Sequence, residues 1–297
     1  MKILLFGKNG QVGWELNRTL LCLGELFALD YPEVDFEKPK DVVKILDEIK
    51  PDLIVNAAAY TNVDKAEEEP GKAQLVNAIT PSEVANWCKQ HDAVLIHYST
   101  DYVFDGTKGS PYTEEDEPNP INIYGKTKLE GEKAIQESGA IHLILRTAWV
   151  YSIRGNNFVT KVLEWAKKSN EIRVVDDQIS NPTCARALAE ITANIIAMSI
   201  KDIRSFLKDK GGLYHCAGSG YCSRYEWAKF ILEYSGIRNI NLLPAKSRDF
   251  INSAKRPFHS ALITRKLYES TGLVLPSWQL NLKLAISQKE KDLFLTY

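Results

Sequence analysis

The apolar opening of the chain, through Phe6, runs straight into Gly7-Lys8-Asn9-Gly10-Gln11-Val12-Gly13, a loop with a glycine at every third position, followed by an amphipathic stretch. A strand, a glycine turn and a helix in that order leave few options, because the pattern is the first half of a βαβ unit. The alternation then repeats. Strands are expected at Lys2–Phe6, Glu25–Asp30, Asp52–Asn56, Ala93–Tyr98 and His142–Arg146, with helices near Gln11–Leu23, Pro39–Ile49, Pro70–Gln90 and Ile123–Ser138. Strands joined by helical crossovers line up in parallel with right-handed connections, so the fold class expected is α/β, a Rossmann-type doubly wound parallel sheet. After Trp149 the pattern loosens into loops between helices near Phe158–Lys168 and Arg186–Met198. Residues 1–148 therefore read as an NAD(P)-binding Rossmann domain. Residues 149–297 read as mainly a smaller substrate-binding lobe, with some helices returning to the sheet.

At 297 residues, 44% of them hydrophobic and 25% charged, the chain has ample material for such a core. Its 37 basic and 38 acidic side chains nearly cancel and form no long single-sign run. That pattern argues against nucleic acid and anionic membrane as partners. No apolar segment approaches the roughly 20 residues of a membrane span, and the first strand is too short for a signal core. Cys22, Cys88, Cys184, Cys216 and Cys222 are odd in number and scattered. They read as reduced thiols of a cytoplasmic protein, and even beside His215 the last two match no standard metal spacing, so no metal ligands are assigned.

The glycine loop points to a pyrophosphate, since backbone N–H groups at a helix start attract anions. Gly7 and Gly10 allow the turn and close approach, and Gly13 lets helix and strand pack, with Gln11 and Val12 opening the helix. Asp30, at the end of the second strand, is placed to take the adenine-ribose hydroxyls, while Lys8 offsets its repulsion of a 2′-phosphate. The cofactor is accordingly NADPH or NADH, with the choice left open. Asp35 and Phe36 are candidates to hold the adenine, and Ala57, Ala58 and Ala59 either let the dinucleotide lie flat or simply pack a helix.

Tyr124 and Lys128 are four residues apart at a helix start, so they stand on one face, one turn apart. An ammonium near a phenol favours the phenolate and brings its pKa toward the neutral range, which is what a general acid for carbonyl reduction needs. Thr100, after the fourth strand, supplies a hydroxyl. Glycine loop, threonine and Tyr/Lys pair, in this order, resemble an extended short-chain dehydrogenase/reductase.

Longer segments narrow the resemblance: Gly7 to Leu16, Asn56 to Glu67, Ser99 to Phe104, Tyr124 to Leu129, Arg146 to Tyr151, Lys255-Arg256-Pro257 and Leu273 to Gln279. Spread over nearly the whole chain, they are similar to the dTDP-4-dehydrorhamnose reductase family. The resemblance implies reduction of the C4 ketone of dTDP-6-deoxy-L-lyxo-4-hexulose by NAD(P)H, with Thr100, Tyr124 and Lys128 as the catalytic set. It also implies Val63, Thr100, Asp101, Tyr102 and Trp149 near the sugar. Arg256 either faces the nucleotide diphosphate or ends a helix in a salt bridge. Lys255 stands where an arginine pair is common. Some family members are magnesium-bridged homodimers, and Glu15 and Glu190 are either such ligands or solvated helix-face carboxylates. The rival readings are a nucleotide-sugar dehydratase or epimerase, and a non-catalytic regulatory subunit of methionine adenosyltransferase. The first wants two acidic residues after the threonine, where this chain has Asp101 and then Tyr102; the second has no need of an acid.

Overall fold

The computed structural model describes residues 1–251 and 253–294, with side chains as far as residue 287. The first half runs β1 (Lys2–Phe6), α1 (Gln11–Thr19), β2 (Glu25–Leu29), α2 (Pro39–Ile49), β3 (Leu53–Asn56), α3 (Val63–Glu68), α4 (Pro70–Gln74), α5 (Thr80–His91), β4 (Val94–Thr100), α6 (Ile123–Glu137) and β5 (Ile141–Thr147). The second half adds β6 (Val150–Tyr151), α7 (Phe158–Lys168), β7 (Glu171–Val175), β8 (Ile179–Ser180), β9 (Thr183–Cys184), α8 (Ala185–Met198), α9 (Ile203–Lys210), β10 (Gly212–His215), β11 (Cys222–Ser223), α10 (Arg224–Tyr234), β12 (Asn241–Ala245), α11 (Arg265–Thr271) and α12 (Trp278–Phe294).

Six strands form one parallel sheet in the order β10-β5-β4-β3-β1-β2. Both faces are covered, as the unbroken apolar runs require. Along β1, Ile3 and Leu5 point into one hydrophobic cluster with Leu16 of α1, Leu20 just after it and Leu188 of α8, while Leu4 and Phe6 point into another with Leu46 of α2 and Val84 of α5. The first cluster continues without a break into the second half through Trp227, Leu267, Trp278 and Leu282. There the smaller pairings β7–β12, β8–β11 and β6–β9 carry the chain over the carboxyl ends of the sheet strands.

Three features differ from the expectation. Helix α1 stops at Thr19 rather than Leu23, because Glu25 must already bond the Met1 carbonyl at 3.0 Å to start β2 in register. The helix expected from Pro70 to Gln90 is broken by a π-turn at Leu75–Ile79, where the Thr80 N–H reaches back to the Leu75 carbonyl. Pro81 has no N–H for the Asn77 carbonyl four residues earlier, which is a reason for the wider turn. The sixth strand, β10, lies in the half where no sheet strand was expected.

Candidate active site

A cleft of about 1080 Å3 opens along the carboxyl ends of β1, β3, β4 and β5, where a doubly wound sheet leaves room for a ligand. Gly7, Gly10, Gln11, Val12, Asp30, Asp35, Phe36, Ala57, Ala58 and Ala59 line one part of it, and Thr100, Asp101, Tyr124, Lys128, Trp149 and Arg256 line the other. Gly13 is behind the wall, where a Cβ would overlap the Gly7 carbonyl, so the glycine is what lets α1 close on the turn. Gly7 itself takes φ +84°. At Gly10 a Cβ would meet nothing closer than the Gly7 carbonyl oxygen at 3.4 Å, leaving that side of the turn open to the cleft. The cradle thus fits a dinucleotide pyrophosphate.

The polar groups of this part are tied to one another. Asp30 accepts the N–H of Asn9 and of Tyr31, both at 2.8 Å, and Lys8 pairs with Glu33 at 2.6 Å. Phe36 packs edge-on to Phe6 and is largely withdrawn into the core. Gln11 bridges the halves, accepting from the Ser152 hydroxyl at 3.1 Å. After β3, the backbone of Tyr60 is held from both sides by buried Asn77 of the π-turn, whose amide also donates to Thr127 of α6.

Asn122 caps α6 by accepting the Gly125 N–H at 2.8 Å and, through its amide, donating to the Lys255 carbonyl at 2.8 Å. That cap fixes the first turn, which carries Tyr124. The Lys128 ammonium does not settle on the phenol as the spacing suggested. Nζ donates to the Tyr98 carbonyl at 2.6 Å and lies 3.1 Å from His97 Nε2. Burial pushes the Tyr124 phenol up, aided by Asp101 and Tyr102, and a hydrogen bond with Thr100 works against the rise. Burial pulls Lys128 down to about 8, against the attraction of Glu132.

Asp101 is buried, and its oxygens accept from Ser180 at 2.9 Å, Ser260 at 2.5 Å and the Thr100 hydroxyl at 3.2 Å. Desolvation nevertheless lifts its carboxyl to about 6. Tyr102 packs edge-on to Tyr124, with ring centroids 5.9 Å apart, and is not part of the cleft wall. Neither is Val63, which opens α3. Arg256 is held in a bidentate pair with Asp64 of α3 at 2.5 and 3.1 Å, so of its two expected roles the salt bridge is present. Trp149, at φ +41°, stacks on Trp227 and carries the Arg224 guanidinium 3.7 Å above its ring.

Sequence reasoning missed Arg224, Ser180, Ser260, His97 and Asn56. Ser180 and Ser260 arrive from distant loops and carry no local signal, whereas Arg224 follows the Ser223 capping box that starts α10 and was open to notice. Among the described residues no group of three or more His, Cys, Asp or Glu side chains could hold a metal, and the five cysteines are free thiols.

The family model described as RmlD substrate binding domain matches residues 1–291. The dTDP-4-dehydrorhamnose reductase of Escherichia coli K12 is 43% identical, covering 97% of this chain and 98% of its own. A crystal structure of a dTDP-4-dehydrorhamnose reductase from Clostridium acetobutylicum superposes with a TM-score of 0.89 at 37% identity, over 98% of this chain and 100% of that one. That of the Bacillus anthracis enzyme, in complex with NADP, gives 0.88 at 34%, over 97% and 99%. Matched from end to end by both sequence and fold, the chain belongs to the dTDP-4-dehydrorhamnose reductase family.

Proposed function

We propose that this protein reduces the C4 ketone of dTDP-4-dehydro-β-L-rhamnose, that is dTDP-6-deoxy-L-lyxo-4-hexulose, to dTDP-L-rhamnose with NADPH or NADH. The observation that carries the reading is one continuous cleft, with the glycine cradle at one end and Thr100, Tyr124 and Lys128 at the other. When bound, the reduced nicotinamide supplies a hydride to C4. Tyr124 gives its proton to the ketone oxygen, and Thr100 turns its hydroxyl from Asp101 to the charge growing there. A phenol held fully protonated by burial is ready to donate, and the donation is favoured as Lys128 carries charge nearby. Lys128 would hold the nicotinamide ribose as well. Trp149 and Arg224 offer the sugar nucleotide an aromatic surface and a buried cation held by stacking and by Tyr102. Arg256, anchored by Asp64, orders the loop around residues 254–256 and presents its remaining edge to the cleft.

In the same reading residues 1–148 bind the cofactor, with Asp30, Asp35, Phe36 and the three alanines on the adenosine side. Residues 149–297 supply most of the sugar pocket, and Val63 and Tyr102 back it. A cytoplasmic setting suits the free thiols. A homodimer is proposed through α1 and α8. One chain alone does not make the magnesium site, because Glu190 already accepts from Arg186 at 2.9 Å, so Glu15 and Glu190 would need donors from a second copy. Sedimentation with and without a chelator tests that assembly.

The reaction is tested by giving the purified protein the keto-sugar and NADPH or NADH. One reduced nicotinamide is consumed per sugar, with dTDP-L-rhamnose as product. Product formed without net loss of the nicotinamide absorbance would instead be the signature of a dehydratase or epimerase that regenerates its own hydride carrier. No reaction despite dinucleotide binding would mark a regulatory subunit.

A further inference from the structure

Asn56 and His97 form a buried polar chain with Lys128, and of the three the proposed reduction uses only the lysine. Asn56 and His97 are register partners on β3 and β4, and their side chains meet on the face covered by α6, with Asn56 Nδ2 3.1 Å from His97 Nδ1. Lys128 Nζ lies 3.1 Å from the other ring nitrogen, Nε2. The direction of this chain is not free. Asn56 Oδ1 accepts the Ala58 N–H at 3.1 Å, and turning the amide over would set two donors against each other. Nδ2 must therefore donate, and His97 Nδ1 must accept. Burial and the nearby lysine hold the imidazole neutral, well below its ordinary pKa, so its one hydrogen is on Nε2, facing Lys128. An ammonium has no lone pair to receive it.

We propose that Asn56 and His97 are positioning residues that set the charge of Lys128: the amide fixes the ring with its hydrogen on Nε2, and lysine meets that N–H only as an amine. This rests on Lys128 having the role given above. Charging Lys128 makes the ring move its hydrogen to Nδ1, and the Asn56 amide then loses its acceptor inside the core. The other groups facing Lys128 are few. Glu132, on its own helix, favours the ammonium but is shared with Arg146 of β5 at 2.6 Å. Tyr124, one turn earlier, is a neutral phenol, and from β4 the Tyr98 carbonyl takes a hydrogen from either form. Burial is the larger influence lowering Lys128, and the imidazole N–H acts in the same direction. Lysine is thus held below its ordinary range, and the ammonium that assists Tyr124 is lost on the alkaline side.

Two measurements decide it. Nitrogen NMR of 15N-histidine-labelled protein without added cofactor, on the alkaline side of the lysine titration, should find His97 as the neutral Nε2–H tautomer; the Nδ1–H tautomer or an imidazolium overturns the inference. Asn56→Asp is isosteric and offers two acceptors, one for the Ala58 N–H and one for a His97 Nδ1–H. It should reverse the ring and move the Lys128 titration, followed by 13Cε NMR, upward by about one pH unit, roughly a tenfold change in protonated fraction. The alkaline limb of kcat/KM should move with it. A reversed ring with an unmoved lysine titration overturns the proposal, and if Asn56→Asp does not fold, the tautomer in the parent protein still decides. Because neither NMR reading needs turnover, a protein inactive toward the keto-sugar would overturn the reductase reading and leave this one standing or falling by itself.

Discussion

At the scale of single residues, burial displaces a phenol, a lysine and a carboxyl together, within a few residues of the same strand end. The first expected outcome concerns Tyr124. Tyr124→Phe keeps the ring packed on Tyr102 and deletes only the hydroxyl, so kcat should fall by about 10²–10⁴ while the dissociation constant for NADPH stays within a few fold. Steady-state kinetics with a fluorescence titration of the cofactor checks both, and near-normal kcat would remove Tyr124 from the chemistry. The second concerns Asp101, whose carboxyl rises from 3.8 to about 6 on folding. Between those pH values the folded chain holds a proton that the unfolded chain has released, so this group's contribution to stability falls as pH rises from about 4 to about 6. Asp101→Asn removes that titration. The difference in unfolding free energy, parent minus variant, should therefore shrink across the window in urea titrations, and a difference independent of pH would show that the carboxyl titrates normally. The triad candidates were legible because Tyr124 and Lys128 are one helical turn apart in the chain itself. The partners of Asp101 were not. Ser180 and Ser260 reach it from 79 and 159 residues away, and isolated serines in loops have no periodicity to read.

Elements matter here by where they end. Helix α6 lies against the turn after β4 so closely that a Cβ on Gly125 would overlap the Tyr102 carbonyl. Gly125→Ala must push that backbone away, which should cost about 1–3 kcal/mol of stability as overpacking does. It should also lower kcat, because Tyr124 is the neighbouring residue; urea unfolding alongside activity tests it, and a variant as stable as the parent would mean the turn gives way freely. Helices with clear boundary chemistry were legible to the residue: α2 begins at Pro39, and α7 follows the capping box of Asn157 and Thr160. The π-turn was hidden inside a continuous amphipathic pattern, since only the Pro81 ring and the Asn77 side chain's tie to the Tyr60 backbone distinguish it from an unbroken helix.

For the whole molecule, the shared hydrophobic cluster makes the two halves one cooperative body. Trp227 and Trp278 of the second half are packed in the same cluster as Ile3 and Leu5 of the sheet. Urea unfolding followed by tryptophan fluorescence and by far-UV circular dichroism should therefore give one coincident transition, and two separated midpoints would show that the halves fold independently. The sheet was legible up to β5, because each strand there is an apolar run bounded by turns. β10 was not, being the four residues Gly212–His215 with a tyrosine and a histidine at their end. That late strand governs how the protein can be made. It pairs with β5 from Gly212 beside Leu143 to His215 beside Arg146, so the last slot of the sheet is filled by chain that leaves the ribosome long after its neighbour. At synthesis rates of about 5–20 residues per second the delay is roughly 3–14 s, during which the outer edge of β5 has open backbone donors and acceptors. Nascent chains of this protein are thus most exposed to aggregation and to chaperones in that interval, and a ribosome stalled between β5 and β10 would display a sheet with an unprotected side.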